Sequence, residues 1–102
     1  MSTPADGQWW LATLGRNLVW ARLRVREAGT AEVLDSDGNT LTYDSEDTAR
    51  AALLDADFVA FDGLDADDAR ARGFRLDAVQ PPRGDSDEAL RPQMFRALDD
   101  PA

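Results

Sequence analysis

The chain has 102 residues, of which 43% are hydrophobic and 30% are charged, and its formal net charge at pH 7 is −9. This length predicts one domain with a modest core, and the apolar fraction is too high for a wholly disordered chain. No uncharged apolar run approaches the roughly 20 residues that a membrane-spanning helix needs, so no integral membrane segment is predicted.

The residue types that are missing limit which reactions the chain can catalyse and which metals it can bind. The sequence has no His, Cys, Lys or Ile, and all 11 basic residues are Arg. His is the usual general base near neutral pH, Cys and Lys are common nucleophiles, and His and Cys are the usual zinc ligands. We therefore expect a protein that is not an enzyme and has no cofactor and no metal site. Because no secretion signal is visible and no disulfide can form, we expect a cytoplasmic protein.

The acidity of the chain bears on its partners. A composition rich in Ala, Arg, Asp and Gly without Lys or Ile is typical of a GC-rich genome, so we expect a small acidic bacterial protein. A surface with this net charge repels nucleic acids and anionic membranes, and we expect neither as a partner. Adaptation to a high-salt habitat and imitation of nucleic acid by carboxylates are two further explanations of the acidity.

Two strands are predicted at the start of the chain, after a polar and flexible N-terminus over residues 1–7. Residues 8–14 and 18–27 form these strands, and Gly15-Arg16-Asn17 supplies the turn between them. One face of the second strand is apolar, at Val19, Ala21, Leu23 and Val25. The other face carries Trp20, Arg22, Arg24 and Arg26, which we call the Trp-Arg stripe. Alternation with period two is typical of a strand, so one face should pack on a core and the other should contact solvent or a partner.

A hairpin and a helix are predicted next. Strands over residues 30–34 and 40–43 flank Asp35-Ser36-Asp37-Gly38-Asn39, whose Asp-Gly and Gly-Asn pairs favour a tight turn. The same oxygen-bearing residues resemble the start of a calcium loop, but Thr40 stands where that loop needs Gly, so a hairpin is the better interpretation. A helix should begin after Asp44 or Ser45 and end within residues 55–57, with small apolar residues along one face.

The remaining segments complete an α+β prediction. Residues 58–61 form a short strand, residues 64–74 a short helix that begins at Asp65 and ends at Gly73, and residues 74–79 alternate like a last strand. We expect one α+β domain over residues 8–80, with an antiparallel sheet of four to six strands that starts as a meander. One main helix and one short helix should pack on one face of this sheet.

The C-terminal segment, residues 81–102, begins with a proline-rich break at Pro81-Pro82. Beyond the break, apolar residues follow helical spacing, at Leu90, Met94, Phe95 and Leu98. This amphipathic tail either folds back over the Trp-Arg stripe or docks on another chain. Both arrangements are compatible with the sequence.

Three functional hypotheses follow. The favoured one is a non-enzymatic interaction module that binds another protein, or a second copy in a homodimer, through the Trp-Arg stripe and Trp10, with the tail contributing its four apolar residues. The alternative is a binder of a small anionic ligand, or a minimal enzyme, in which Arg side chains clamp the anion and Tyr43 or an Asp handles a proton. The third is a nucleic-acid mimic.

Overall fold

The strands form one antiparallel sheet in the computed structural model, which describes residues 7–97. The six strands are β1 (Gln8–Leu14), β2 (Asn17–Val25), β3 (Ala31–Leu34), β4 (Thr40–Tyr43), β5 (Val59–Ala60) and β6 (Phe95–Ala97). Their order across the sheet is β4-β3-β2-β1-β5, and β6 pairs with β2. The predicted α+β class and the initial meander of four strands are confirmed.

Strand β2 holds the sheet together because three other strands pair with it. Strand β1 lies along one edge of β2, while β3 and β6 share the opposite edge. In this register Arg22 lies opposite Leu34 of β3, and Val19 lies opposite Phe95 of β6. Just beyond β6, the Trp20 N–H donates a 2.8 Å hydrogen bond to the Met94 carbonyl. The tail is therefore tied to the centre of the sheet by its backbone.

The first two helices begin at side-chain caps that the sequence predicts. The helices are α1 (Glu46–Asp55), α2 (Ala66–Ala71) and α3 (Asp87–Leu90), and 3-10 turns cover Phe61–Gly63, Leu76–Ala78 and Arg91–Gln93. Ser45 caps α1 by accepting from the Thr48 N–H, and Asp65 forms a capping box with Asp68 at the start of α2. Each cap satisfies backbone donors that the first helical turn leaves without partners.

Two hydrophobic cores lie on opposite faces of the sheet. Helix α1 covers one face, where Ala49 and Leu53 pack against Trp10 and Leu23. Helix α2 and the tail cover the other face, whose core includes Trp20. The sequence analysis placed both helices on one face, and the structure differs because β2 carries large side chains on both faces. Leu18 and Trp20 on one face are buried from water, as are Val19 and Leu23 on the other.

The C-terminal third departs from the sequence prediction in two places. Residues 74–79 contain a 3-10 turn instead of a strand, and the two buried residues of this segment, Phe74 and Val79, lie on either side of the turn, five apart and not two. In the tail, α3 ends at Leu90 instead of continuing, because Pro92 has no N–H for the next helical hydrogen bond. The predicted tail contact at Leu98 lies outside the described residues.

Candidate functional site

The Trp-Arg stripe lies on the sheet face that the tail covers. Residues two apart in a strand share a face, so Arg22 and Arg24 follow Trp20 along this side of β2. Strand β1 adds Trp9, which lies directly opposite Arg22. The tail folds back over this face within the same chain and buries Leu90 in its core. Leu90 and Met94 thus lie on the side of the stripe, as one of the two predicted arrangements has it. The predicted tail contact at Phe95 is corrected, because residues 95–97 form a strand and Phe95 lies half exposed on the opposite face.

Trp20 itself is a core residue and not part of an exposed surface. Its ring centroid lies 6.0 Å from that of Trp9 in an edge-to-face arrangement and 5.4 Å from that of Phe61. Aromatic pairs at such distances stabilise a core beyond their buried area. The expectation that Trp20 contacts a partner is therefore corrected. Alternation within β2 could not show that different segments later in the chain would cover its two faces.

Trp10 lies on the opposite face and also belongs to a core. Its indole Nε1–H donates a 2.9 Å hydrogen bond to Gln8, and the Arg50 guanidinium lies 5.3 Å from the centre of its ring. The sequence analysis named Trp10 as a site residue beside the stripe. The register of β1 and β2 shows that Trp9 is the tryptophan that shares a face with Arg22.

The three arginines of the stripe have different surroundings. Arg22 is only 7% exposed, and its guanidinium lies 3.0 Å from the Asp87 carboxylate on α3. Arg26, at the exposed end, pairs at 3.2 Å with Glu32. Arg24, between them, is partly buried, and no ion pair within residues 7–97 involves it.

Two guanidinium groups of the stripe have unused hydrogen-bond donors. The Nε atoms of Arg22 and Arg24 are buried and have no hydrogen-bond partner within the described part of the chain. A buried donor without a partner costs about 1–3 kcal/mol, and such groups are rare in native proteins. Two of them on consecutive positions of one strand face mark this place as a candidate site for an acceptor.

The loop over residues 82–87 forms the roof of this place, and side chains fix its position. Ser86 caps α3 by accepting from the Ala89 N–H at 3.2 Å. The Gln93 amide group accepts from the Arg83 N–H at 3.0 Å and donates to the Arg83 carbonyl at 2.6 Å. Gln93 thus holds Arg83 as an adjacent backbone segment would, and the loop stays over the stripe.

A cavity of about 330 Å³ lies between the stripe and the loop. Trp9, Arg22 and Arg24 line it from the sheet, and residues 82–87 with Leu90 line it from the tail. We call this cavity the arginine pocket. Three of its lining residues are Arg and two are Asp, so it is formally positive although the whole chain carries −9. Its Trp, Pro and Leu side chains add an apolar wall.

Sequence reasoning found only part of this pocket. It identified Arg22 and Arg24, but it missed Trp9, Gln93 and the loop over residues 82–87. One signal was present, since two aspartates, Asp85 and Asp87, follow the proline break and complement a stripe of arginines. The role of Gln93 has no sequence signal, because an amide that holds a loop ten residues away resembles any polar side chain.

The other acidic clusters are explained by local structure. In the turn between β3 and β4, an Asp35 carboxylate oxygen accepts from the N–H groups of Asp37 and Asn39, both at 2.9 Å. Asp65 and Asp68 cap α2. Within residues 7–97, no group of three or more His, Cys, Asp or Glu side chains is placed to hold a metal ion.

Among the helices of the described residues, none is long and apolar enough to cross a membrane. No known protein family, curated protein or solved structure matches the chain. Function must therefore be inferred from the chain itself, and the arginine pocket is its best candidate site.

Proposed function

We propose that this protein is a non-catalytic binding domain that holds the anionic group of a small molecule in the arginine pocket. The observation that carries the proposal is the pair of buried Nε–H donors, on Arg22 and Arg24, that have no partner within residues 7–97. An anion accepting from both would remove the cost of burying them unsatisfied. The proposal selects the anionic-ligand hypothesis over the interaction module that the sequence favours.

The donor geometry suits an oxyanion. The Nε–H and a terminal N–H of one guanidinium point in the same direction and bind two oxygens at once. Arg22 uses one terminal nitrogen for Asp87, which leaves its Nε side for a ligand. Arg24 takes part in no described ion pair, so its charge is not neutralised by a neighbouring carboxylate.

The size of the pocket favours a small ligand. Ligand pockets in proteins usually measure about 300–1,000 Å³. The arginine pocket, at about 330 Å³, lies at the lower end of this range. Because the acidic surface repels anions at long range, we expect slow encounter and modest affinity, with short-range hydrogen bonds providing most of the binding free energy.

A binding role without catalysis agrees with the groups that line the pocket. The chain contains no His, Cys or Lys to act as a base or nucleophile. The one hydroxyl of the loop, on Ser86, already caps α3. The remaining charged groups of the pocket are three guanidinium ions, which bind and orient an anion, and two carboxylates, of which Asp87 pairs with Arg22.

Titration with inorganic phosphate, followed by amide NMR, tests this proposal with matched variants. Arg24→Gln removes a donor inside the pocket, whereas Arg26→Gln removes the same charge just beyond the end of β2 and outside the pocket. A hydrogen bond to a charged group contributes about 1.5–3 kcal/mol, so we expect Arg24→Gln to weaken phosphate binding by roughly 10- to 100-fold. Arg26→Gln should change it by less than about threefold.

Two results would count against the proposal. One is the absence of amide shifts at residues 22–24 and 82–87 at roughly 10 mM phosphate, a concentration that nearly saturates a site with a millimolar Kd. The other is an equal loss of affinity in Arg24→Gln and Arg26→Gln, which would mean that the anion responds only to net charge.

A second candidate is self-association through strand β6, and an exposed apolar patch favours it. Leu14 is 57% exposed and Phe95 is 50% exposed. Both lie on the same sheet face as Val19, and within residues 7–97 strand β6 pairs only with β2. Two copies of β6 could pair antiparallel about a two-fold axis and cover this patch.

Light scattering after size-exclusion chromatography tests this second candidate. We expect a dimer whose population falls in Phe95→Ser, because that change removes apolar area from the centre of the interface. Leu54→Ser, at an exposed position on α1, is the matched control. A monomer at all protein concentrations would exclude this candidate without affecting the anion-binding proposal.

A further inference from the structure

The carboxylate of Asp87 is an unexpected component of a site for anions. One of its oxygens lies 3.0 Å from the Arg22 guanidinium, and its side chain is about half exposed at the mouth of the arginine pocket. A carboxylate only accepts hydrogen bonds, so it repels an anion that has no proton to donate. It attracts an anion that carries one. The position of Asp87 therefore distinguishes two classes of oxyanion.

We infer, building on the proposed function, that the pocket takes a phosphate-type oxyanion, free or as a monoester, that still carries a proton and donates it in a hydrogen bond to Asp87. The second ionisation of a phosphate monoester has a pKa near 6, so the protonated form is present in the physiological range. Sulfate has no proton at these pH values. Arg22 and Arg24 would hold the unprotonated oxygens while Asp87 accepts from the remaining O–H group.

The number and spacing of the donors favour a tetrahedral oxyanion over a carboxylate. Arg22 and Arg24 lie two residues apart on one strand face, so their side chains leave the sheet about 7 Å from each other. A carboxylate ion can accept from both guanidinium groups, but it has no third oxygen and no proton to donate to Asp87. A phosphate group has enough oxygens to accept from both Nε–H donors and still present a hydroxyl to Asp87.

The apolar wall provides a way to distinguish free phosphate from a monoester by their affinities. Trp9, Pro82 and Leu90 line the pocket together with the charged groups. A monoester with an aromatic group can place that group against the wall, where free phosphate has nothing to bury. Phenyl phosphate should therefore bind more tightly than inorganic phosphate if the natural ligand is an ester. Equal affinities would indicate free phosphate.

Calorimetric titration of the full chain at about pH 6 tests the inference with three probes, namely inorganic phosphate, phenyl phosphate and sulfate. In the unaltered protein we expect both phosphates to bind at least about tenfold more tightly than sulfate, which corresponds to about 1.4 kcal/mol. In Asp87→Asn, the amide N–H₂ group donates to sulfate, so this ratio should fall at least about fivefold. Glu88→Gln removes the same charge from the next residue of α3 and should leave the ratio unchanged.

The outcomes separate the inference from the proposal on which it depends. Equal binding of phosphate and sulfate by the unaltered protein overturns the inference and leaves an unselective anion site. This comparison does not depend on whether any variant folds. A gain in affinity by the same factor for all three anions in Asp87→Asn also overturns it, because Asp87 would then only compete with the ligand for Arg22. If no probe binds at all, the anion-binding function itself fails.

Discussion

A single glycine shows how tightly the hairpin between β3 and β4 is determined. Gly38 has a φ angle of +88°, which lies in the region that side chains disfavour. A methyl group added to it would also lie 2.5 Å from Nε of Arg91, in the tail. Gly38 is therefore needed for the turn itself and for the contact between the hairpin and the tail.

Gly38→Ala should lower the free energy of unfolding by about 1–2 kcal/mol, measured by urea denaturation, because alanine strains the left-handed backbone. Adding Arg91→Ala removes the steric contact but not the strain, so the double variant should keep most of the loss. Gly63→Ala is the control, since Gly63 has no positive φ and no neighbour within 4 Å of an added methyl group. If the Gly38 and Gly63 variants are equally stable, the turn tolerates a side chain and our argument is wrong.

At the scale of elements, the tail is a structural part of the fold. Adjacent residues show this clearly, since Met94 is fully buried in the core of the Trp-Arg face whereas Phe95 is half exposed on the other face. The Met94 side chain belongs to the same core as Trp20, and the Met94 carbonyl accepts a hydrogen bond from the Trp20 N–H. The tail therefore contributes packing as well as strand pairing.

Met94→Ala should destabilise the protein by about 2–5 kcal/mol, because it leaves a cavity in a core that relaxes only partly. Phe95→Ala should cost less than about 1 kcal/mol, since half of that side chain is already in water. Chemical denaturation of both variants gives the comparison. A larger loss for Phe95→Ala than for Met94→Ala would mean that the tail is placed differently from our description.

The sequence predicted the local elements well because their signals are local. Period-two alternation identified β2, the Asp-Gly pair identified the hairpin, and capping residues identified the starts of α1 and α2. The placement of α1 and α2 on opposite faces of the sheet was not predicted, because it depends on contacts between distant segments. Trp20 lies in a core because distant segments, with Phe61, Leu90 and Met94, cover its face, and no pattern within β2 contains that information.

For the same reason, the sequence predicted the arginines of the candidate site but not their partners. A stripe of guanidinium groups on one strand is visible in the sequence, but which of them are used by neighbours is not. Glu32 pairs with Arg26 although it lies directly opposite Arg24 in the strand register. Asp87 reaches Arg22 only because the chain turns back after Pro82. The pocket is the result of these two pairings and of the loop that Gln93 holds.

At the scale of the whole molecule, the acidic excess should oppose folding. The chain has 20 acidic and 11 basic residues, and four of the five ion pairs within residues 7–97 join exposed or half-exposed side chains, where they stabilise weakly. Repulsion among the remaining carboxylates favours the expanded chain. Screening by salt should therefore stabilise the fold.

Raising NaCl from about 20 mM to about 500 mM should raise the Tm by a few degrees, because the screening length falls well below the distances between surface charges. Thermal unfolding followed by circular dichroism measures this change. The double variant Glu27→Gln with Asp55→Asn removes two negative charges at exposed positions, so its Tm should rise less with salt. A Tm that falls with salt would mean that attractive pairs outweigh the repulsion.

The pairing of β6 with β2 also bears on how fast the sheet assembles and comes apart. Strands β1 and β2 meet across a two-residue turn, whereas Val19 and Phe95 meet only after about three-quarters of the chain has been looped back. Closing so long a loop is entropically costly, so local hairpins should form before this last pairing. Weakening the tail should then leave the refolding rate nearly unchanged and accelerate unfolding. The pairing of β6 with β2 would then determine how fast the native state unfolds.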